Sequence, residues 1–101
     1  MNLRKAVKII REAKGHSYED TDKLLKETYN NYNNGIVLPI EYFENGNVSY
    51  INISHFCGTY GIQDELFMIL ATEESDLPED RKANYQNHYD SIVELVKIFL
   101  K

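Results

Sequence analysis

The sequence predicts an all-α fold, on three observations. Apolar residues recur with a 3.6-residue period over residues 3–14 and again near the C-terminus, as in helices with one face against a core. Glycine stops and hydroxyl caps punctuate the chain, most clearly at Gly15-His16-Ser17 and at Gly61. No internal repeat or low-complexity tract interrupts this pattern beyond a cluster of asparagines at residues 30–34. Five helices, over residues 3–14, 17–29, 38–44, 49–60 and 64–71, are expected to form a core. A linker and one long helix over residues 78–100 follow them.

The first helix places Leu3, Ala6, Val7, Ile10 and Ala13 on one face. Gly15 ends it, being the residue that tolerates a left-handed conformation just past a helix. Ser17 opens the second helix with Asp20 three residues on, a capping-box-like pair. That helix is expected to carry Tyr18, Thr21, Leu25 and Thr28 inward. Asn30-Asn31-Tyr32-Asn33-Asn34-Gly35 is rich in breakers and reads as a loop.

Ile36-Val37-Leu38-Pro39-Ile40-Glu41-Tyr42-Phe43 admits two readings. β-branched Ile36 and Val37 suggest a strand, with Asn45-Gly46 as the turn of a hairpin returning through Val48, Tyr50 and Ile51. Alternatively Pro39 sits in the first turn of a short helix, where its missing N–H costs nothing, and Ile40 and Phe43 face inward. The helix is preferred. A hairpin needs Pro39 on an edge, and its second arm breaks alternation at Ser54-His55-Phe56.

Ser49 is expected to cap a fourth helix that carries Ile53, Phe56 and Tyr60 and stops at Gly61. Leu66, Phe67, Ile69 and Leu70 mark a short, strongly apolar fifth helix. Residues 72–78 form a polar, acidic linker. In the last helix Tyr85, Tyr89, Ile92, Val93, Val96 and Phe99 make one stripe, part packing on Leu66, Phe67 and Leu70 and the remainder available to a second copy.

A chain of 101 residues suits one domain with a single modest core. Its 43% hydrophobic and 27% charged residues are ordinary for a globular protein, and no apolar run approaches a membrane span. One cysteine, Cys57, excludes an internal disulfide framework and fits a reducing cytoplasm. The net charge is −5, but Arg4, Lys5, Lys8, Arg11 and Lys14 concentrate basic charge on the first helix. Residues 68–101 hold seven acidic and four basic side chains, giving a basic head and an acidic tail.

Catalysis finds little in this sequence. His16, His55 and His88 lie too far apart for a local metal motif, and His55 and Cys57 fall on different sides of a helix. There is no glycine-rich phosphate loop. The acidic residues stand at helix starts or in the linker, where the helix dipole accounts for them. No catalytic group, metal or cofactor is expected.

One constellation carries more. Ile9-Ile10-Arg11-Glu12-Ala13-Lys14-Gly15-His16-Ser17-Tyr18-Glu19-Asp20 is a helix, a glycine stop and a capped second helix. Glu44-Asn45-Gly46 comes next, then Val48-Ser49-Tyr50 through Phe56 to Tyr60-Gly61-Ile62, and Asp64-Glu65-Leu66. Over about residues 3–70 this resembles the Cro/C1-type (XRE-like) helix-turn-helix family, whose members read roughly R-E-x-K-G-x-S-x-E-x, then E-x-G, then an amphipathic helix ending L-G-V. The resemblance implies a five-helix lambda-repressor-like DNA-binding core at residues 1–72. Residues 73–101, the linker and C-terminal helix, would belong to the same compact unit.

It also implies a function, a sequence-specific transcriptional regulator that binds double-stranded DNA as a homodimer. Arg11 and Glu44 would form a structural ion pair orienting the reading helix. Ser17 and Tyr18 would meet the phosphate backbone at the start of the second helix. Leu38, Tyr42 and Asn45, with Glu41, would face the groove, Leu38 offering apolar contact to thymine methyls. Asn33, Asn34 and Asn47 would add amide contacts, and Lys8 would neutralise phosphate alongside Arg4, Lys5 and Lys14. Asp22 takes a place where the family prefers alanine. An alternative is a protein-interaction module, an inhibitor or antirepressor, on the same scaffold, which the acidic balance favours.

Overall fold

The computed structural model describes residues 1–28, 40–41 and 50–100, the side chains of residues 50–52 excepted. The regular structure of the described residues is helical, with no strand among them. Five α-helices are present there: α1 (Leu3–Ala13), α2 (Tyr18–Thr28), α3 (Tyr50–Tyr60), α4 (Asp64–Ala71) and α5 (Tyr85–Leu100). Ile40 and Glu41 are helical too. Tyr50 and Ile51 lie inside α3 rather than on the returning arm of a hairpin, and of the segment 36–43 the rest lies outside the described residues.

α1 is the element around which the others assemble. Its face of Ala6, Val7 and Ile10 is fully buried against α4 and α5, while α2 packs on α3 and α3 on α4. The core joins those residues to Ile40, Ile53, Phe56, Cys57, Tyr60, Ile62, Phe67, Leu70, Ala71, Val96 and Leu100. Phe56 stacks edge-on against Phe67 with centroids 6.1 Å apart and tilts against Tyr60 at 5.0 Å, so aromatic packing knits α3 to α4. The Asn2 side chain caps α1 by accepting from the Lys5 N–H, and the Asn2 N–H bonds the Ala71 carbonyl.

Both glycine stops operate as expected. At the end of α1 the Gly15 N–H bonds Glu12 O and the His16 N–H bonds Arg11 O, a Schellman pair closed by Gly15 at φ 71°. Gly61 at φ 66° repeats the pattern, the Ile62 N–H reaching Cys57 O, and Ile62 then turns into the core. A Cβ would meet nothing at either position, so only the backbone angle requires glycine.

Three expectations are corrected. The last helix begins at Tyr85 rather than near Pro78, since Pro78 is extended and residues 79–81 make only a 3₁₀ turn. Two tyrosines fix the true start: Tyr85 donates to Thr72 O, and Tyr89 donates to Leu70 O at 2.7 Å. Within the linker, Glu74–Asp76 form a 3₁₀ turn capped reciprocally by Glu73 and Asp76. Phe99 is 71% exposed while Leu100 is buried, because the apolar arc of α5 is wider than the face the core covers. In α2 the buried pair is Thr21 and Leu25, whereas Tyr18 and Thr28 are exposed; Thr28 Oγ1 donates back to the Leu24 carbonyl.

Candidate nucleic-acid interface

Hydrogen bonds and a cation–π contact converge on the junction between α1 and α2. Arg11 anchors it. Its backbone carbonyl accepts from the His16 N–H, and its guanidinium donates to the His16 carbonyl at 2.8 Å, so residue 16 is gripped from both sides. The same guanidinium lies 4.5 Å from the centre of the Tyr18 ring, a cation–π contact. With the Arg11 side chain only 12% exposed, these contacts are sheltered from water.

Ser17 and Asp20 realise the predicted cap. The Ser17 N–H donates to Asp20 Oδ2 at 3.0 Å, and Ser17 Oγ accepts from the Asp20 N–H at 3.1 Å. The Ser17 backbone N–H, and after it the Ser17 hydroxyl, hold the Asp20 carboxyl below its ordinary value. Beneath the junction runs a hydroxyl chain. His16 Nδ1 is 2.8 Å from Tyr60 Oη, which is 2.8 Å from Thr21 Oγ1, so the only buried polar side chain of α2 has its partner in α3.

Asp22 explains its own presence. Its Oδ1 accepts the backbone N–H of helical Ile40 at 2.8 Å, so a carboxylate on α2 supplies a backbone donor 18 residues away with its partner. Burial raises the Asp22 carboxyl above its ordinary value; the Ile40 N–H opposes this, and Glu41 adds to it.

Charge along α1 divides by face. Arg4, Lys8 and Arg11 recur at i, i+4 and i+7 and form one stripe leading to the start of α2, with Arg4 and Lys8 exposed. Lys8 lies 3.8 Å from Glu12. Lys5 points the other way, its ammonium 3.9 Å from the centre of the Tyr89 ring and 3.4 Å from Tyr85 Oη. It therefore pins α1 to α5 and is withdrawn from any phosphate, a correction to its expected role. Among the described residues no three His, Cys, Asp or Glu side chains come together as a metal site.

Lys8 on α1 and Ser17 and Tyr18 at the start of α2 are all exposed to solvent. Asn33, Asn34, Leu38, Tyr42, Asn45 and Asn47 lie outside the described residues, as does Glu44, the expected partner of Arg11. The His16–Tyr60–Thr21 chain and the Asp22–Ile40 bond were not read from the sequence. Thr21 at an inward helical position was the available signal for the first, since a buried hydroxyl requires a partner. Nothing local announces the second, because its donor is 18 residues away. No match to the chain is found among family models, curated proteins or solved structures.

Proposed function

We propose that this chain is a sequence-specific DNA-binding regulator of the Cro/C1 type, acting in the cytoplasm, that lays the α1–α2 junction along the phosphate backbone. The observation that carries this is the clamped junction itself. α1, a four-residue glycine turn and a capped α2 are locked by Arg11, and Asp22 ties the helix at Ile40 to α2. That is the element order the resemblance to the Cro/C1-type family requires, and the exposed basic stripe of Arg4 and Lys8 runs alongside it. Lys8 would neutralise phosphate while Ser17 and Tyr18 meet the backbone. Asn33, Asn34, Leu38, Tyr42, Asn45 and Asn47 would supply the base-facing contacts.

Fluorescence-anisotropy titration of a random duplex pool at low salt tests the reading. Binding at micromolar protein, uniformly weakened by Lys8→Gln, is expected; Tyr42→Ala and Asn33→Ala should instead change which sequences a selection enriches.

One observation favours a second reading, a protein-interaction module on this scaffold. The start of α2 already accommodates a carboxylate, that of Asp20, where an incoming phosphate would have to approach. No duplex binding at micromolar protein would favour that module.

A further inference from the structure

The side chain of His16 joins the surface of the α1–α2 junction to the interior. Its residue is half-buried, Tyr60 is nearly buried and Thr21 is fully so. Nδ1 of His16 lies 2.8 Å from Tyr60 Oη, which lies 2.8 Å from Thr21 Oγ1. The backbone of residue 16 is fixed on both sides, its N–H donating to the Arg11 carbonyl and its carbonyl accepting from the Arg11 guanidinium. The imidazole is therefore presented to Tyr60 by a clamped turn.

Both of these hydrogen bonds can run in either direction. An imidazole nitrogen accepts when bare and donates when protonated, and a hydroxyl does both. Burial, against the opposing Thr21 hydrogen bond and Arg11, holds the Tyr60 phenol above its ordinary value, so it keeps its proton and relays rather than ionises. With a neutral ring protonated at Nε2, Tyr60 donates to Nδ1 and Thr21 donates to Tyr60. A charged ring has no acceptor left. Nδ1–H then donates to Tyr60, Tyr60 donates to Thr21, and the Thr21 hydroxyl turns to a new acceptor. Four residues back in its own helix stands the Ser17 carbonyl, which already accepts the Thr21 backbone N–H at 3.1 Å and has a second lone pair.

We propose that His16, Tyr60 and Thr21 form a pH-responsive relay, in which protonation of His16 reverses the hydrogen bonds and adds one positive charge at the start of α2. Histidine is the side chain suited to such a change in the physiological range. Among the described residues, charged or titratable groups face the ring from all three elements packed around it: Arg11 from α1, Asp20 from α2 and Tyr60 from α3. Asp20 favours the charged ring and Arg11 the neutral one. One consequence rests on the DNA-binding reading: phosphate affinity at the junction rises as pH falls. The relay rests on the geometry alone.

An NMR titration of the free chain between about pH 8 and pH 5, with ¹⁵N-labelled histidine, tests the relay. At the alkaline end His16 should carry its proton on Nε2, with Nδ1 bare. The Tyr60 ring and Thr21 amide resonances should then move together with the His16 ring. In Tyr60→Phe, which keeps the ring packed on Phe56, His16 should titrate while Thr21 stays unmoved. Thr21→Val removes the acceptor that the reversed Tyr60 hydroxyl needs, and should shift the His16 midpoint to lower pH. In duplex titrations at constant salt, affinity should rise about three- to tenfold for one added cation between pH 7.5 and pH 5.5. His16→Gln should abolish that rise, and His88→Gln on the exposed side of α5 should leave it in place. A neutral ring protonated at Nδ1, or a His16 titration that leaves Tyr60 and Thr21 unmoved, overturns the relay. So does a rise in duplex affinity that survives His16→Gln in full. Absence of duplex binding at both pH values overturns the DNA reading instead, and the free-chain titration still decides the relay.

Discussion

Arg11 illustrates how one side chain can organise a junction. It donates to the His16 carbonyl, stacks on Tyr18 and is almost enclosed. Arg11→Ala removes a sheltered, charge-assisted hydrogen bond and a cation–π contact, and should lower stability by about 2–3 kcal/mol in urea denaturation. Arg11→Lys should recover little of it, because an ammonium lacks the planar fork. Asp22 makes a pH-dependent contribution. Burial raises its folded-state value, so at mildly acid pH the folded chain holds a proton that the unfolded chain has released. Its contribution to stability therefore grows as pH falls through the folded value and levels off below the unfolded one. Asp22→Asn keeps an acceptor for the Ile40 N–H and should remove this dependence, whereas Asp22→Ala loses both, with a deficit of about 1 kcal/mol at mildly acid pH that shrinks as pH rises. Denaturation of the three proteins at neutral and mildly acid pH separates these outcomes. Cys57 is buried, and burial, followed by the neighbouring Asp64, pushes its thiol up to about 12. A thiol reagent at pH 8 should label it only at the rate of unfolding.

At the scale of elements, the helix ends are under local control. Gly15→Ala forces a β-carbon into the left-handed region with no packing gain, and should cost about 1–2 kcal/mol, read as a lowered urea midpoint. Those ends were legible in the sequence for the same reason: Gly15, Ser17, Asp20 and Gly61 act within four residues of themselves. The inward faces of α1 and α3 were legible from periodicity. The start of α5 was not, because Pro78-Glu79-Asp80 looks like a good helix opening and only Tyr85 and Tyr89 reaching back to α4 defers it. The covered side of α5 was misjudged at Phe99 for a related reason. Residues apolar over more than half a helix do not themselves say which half the core takes. Of the candidate interface, the basic first helix and the Ser17 cap could be read. The diversion of Lys5 onto two tyrosines depends on residues 80 and more positions away and could not.

For the whole molecule, charge is unevenly distributed along the chain. Residues 1–28 carry seven basic and five acidic side chains within a chain of net charge −5. With Lys5 held by α5 and Arg11 by the junction, few cations remain to neutralise phosphate. Duplex affinity should therefore fall with added salt along a shallow slope, reflecting roughly two to four phosphates per copy, and Lys8→Gln should reduce that slope by about one. The most direct test is an amide ¹H–¹⁵N NMR titration of the chain with a short duplex at low salt. The account predicts shifts concentrated at Lys8, Lys14, Ser17 and Tyr18 and through the segment that contains Asn33, Leu38 and Tyr42. Shifts elsewhere, or a spectrum unmoved by excess duplex, would contradict it.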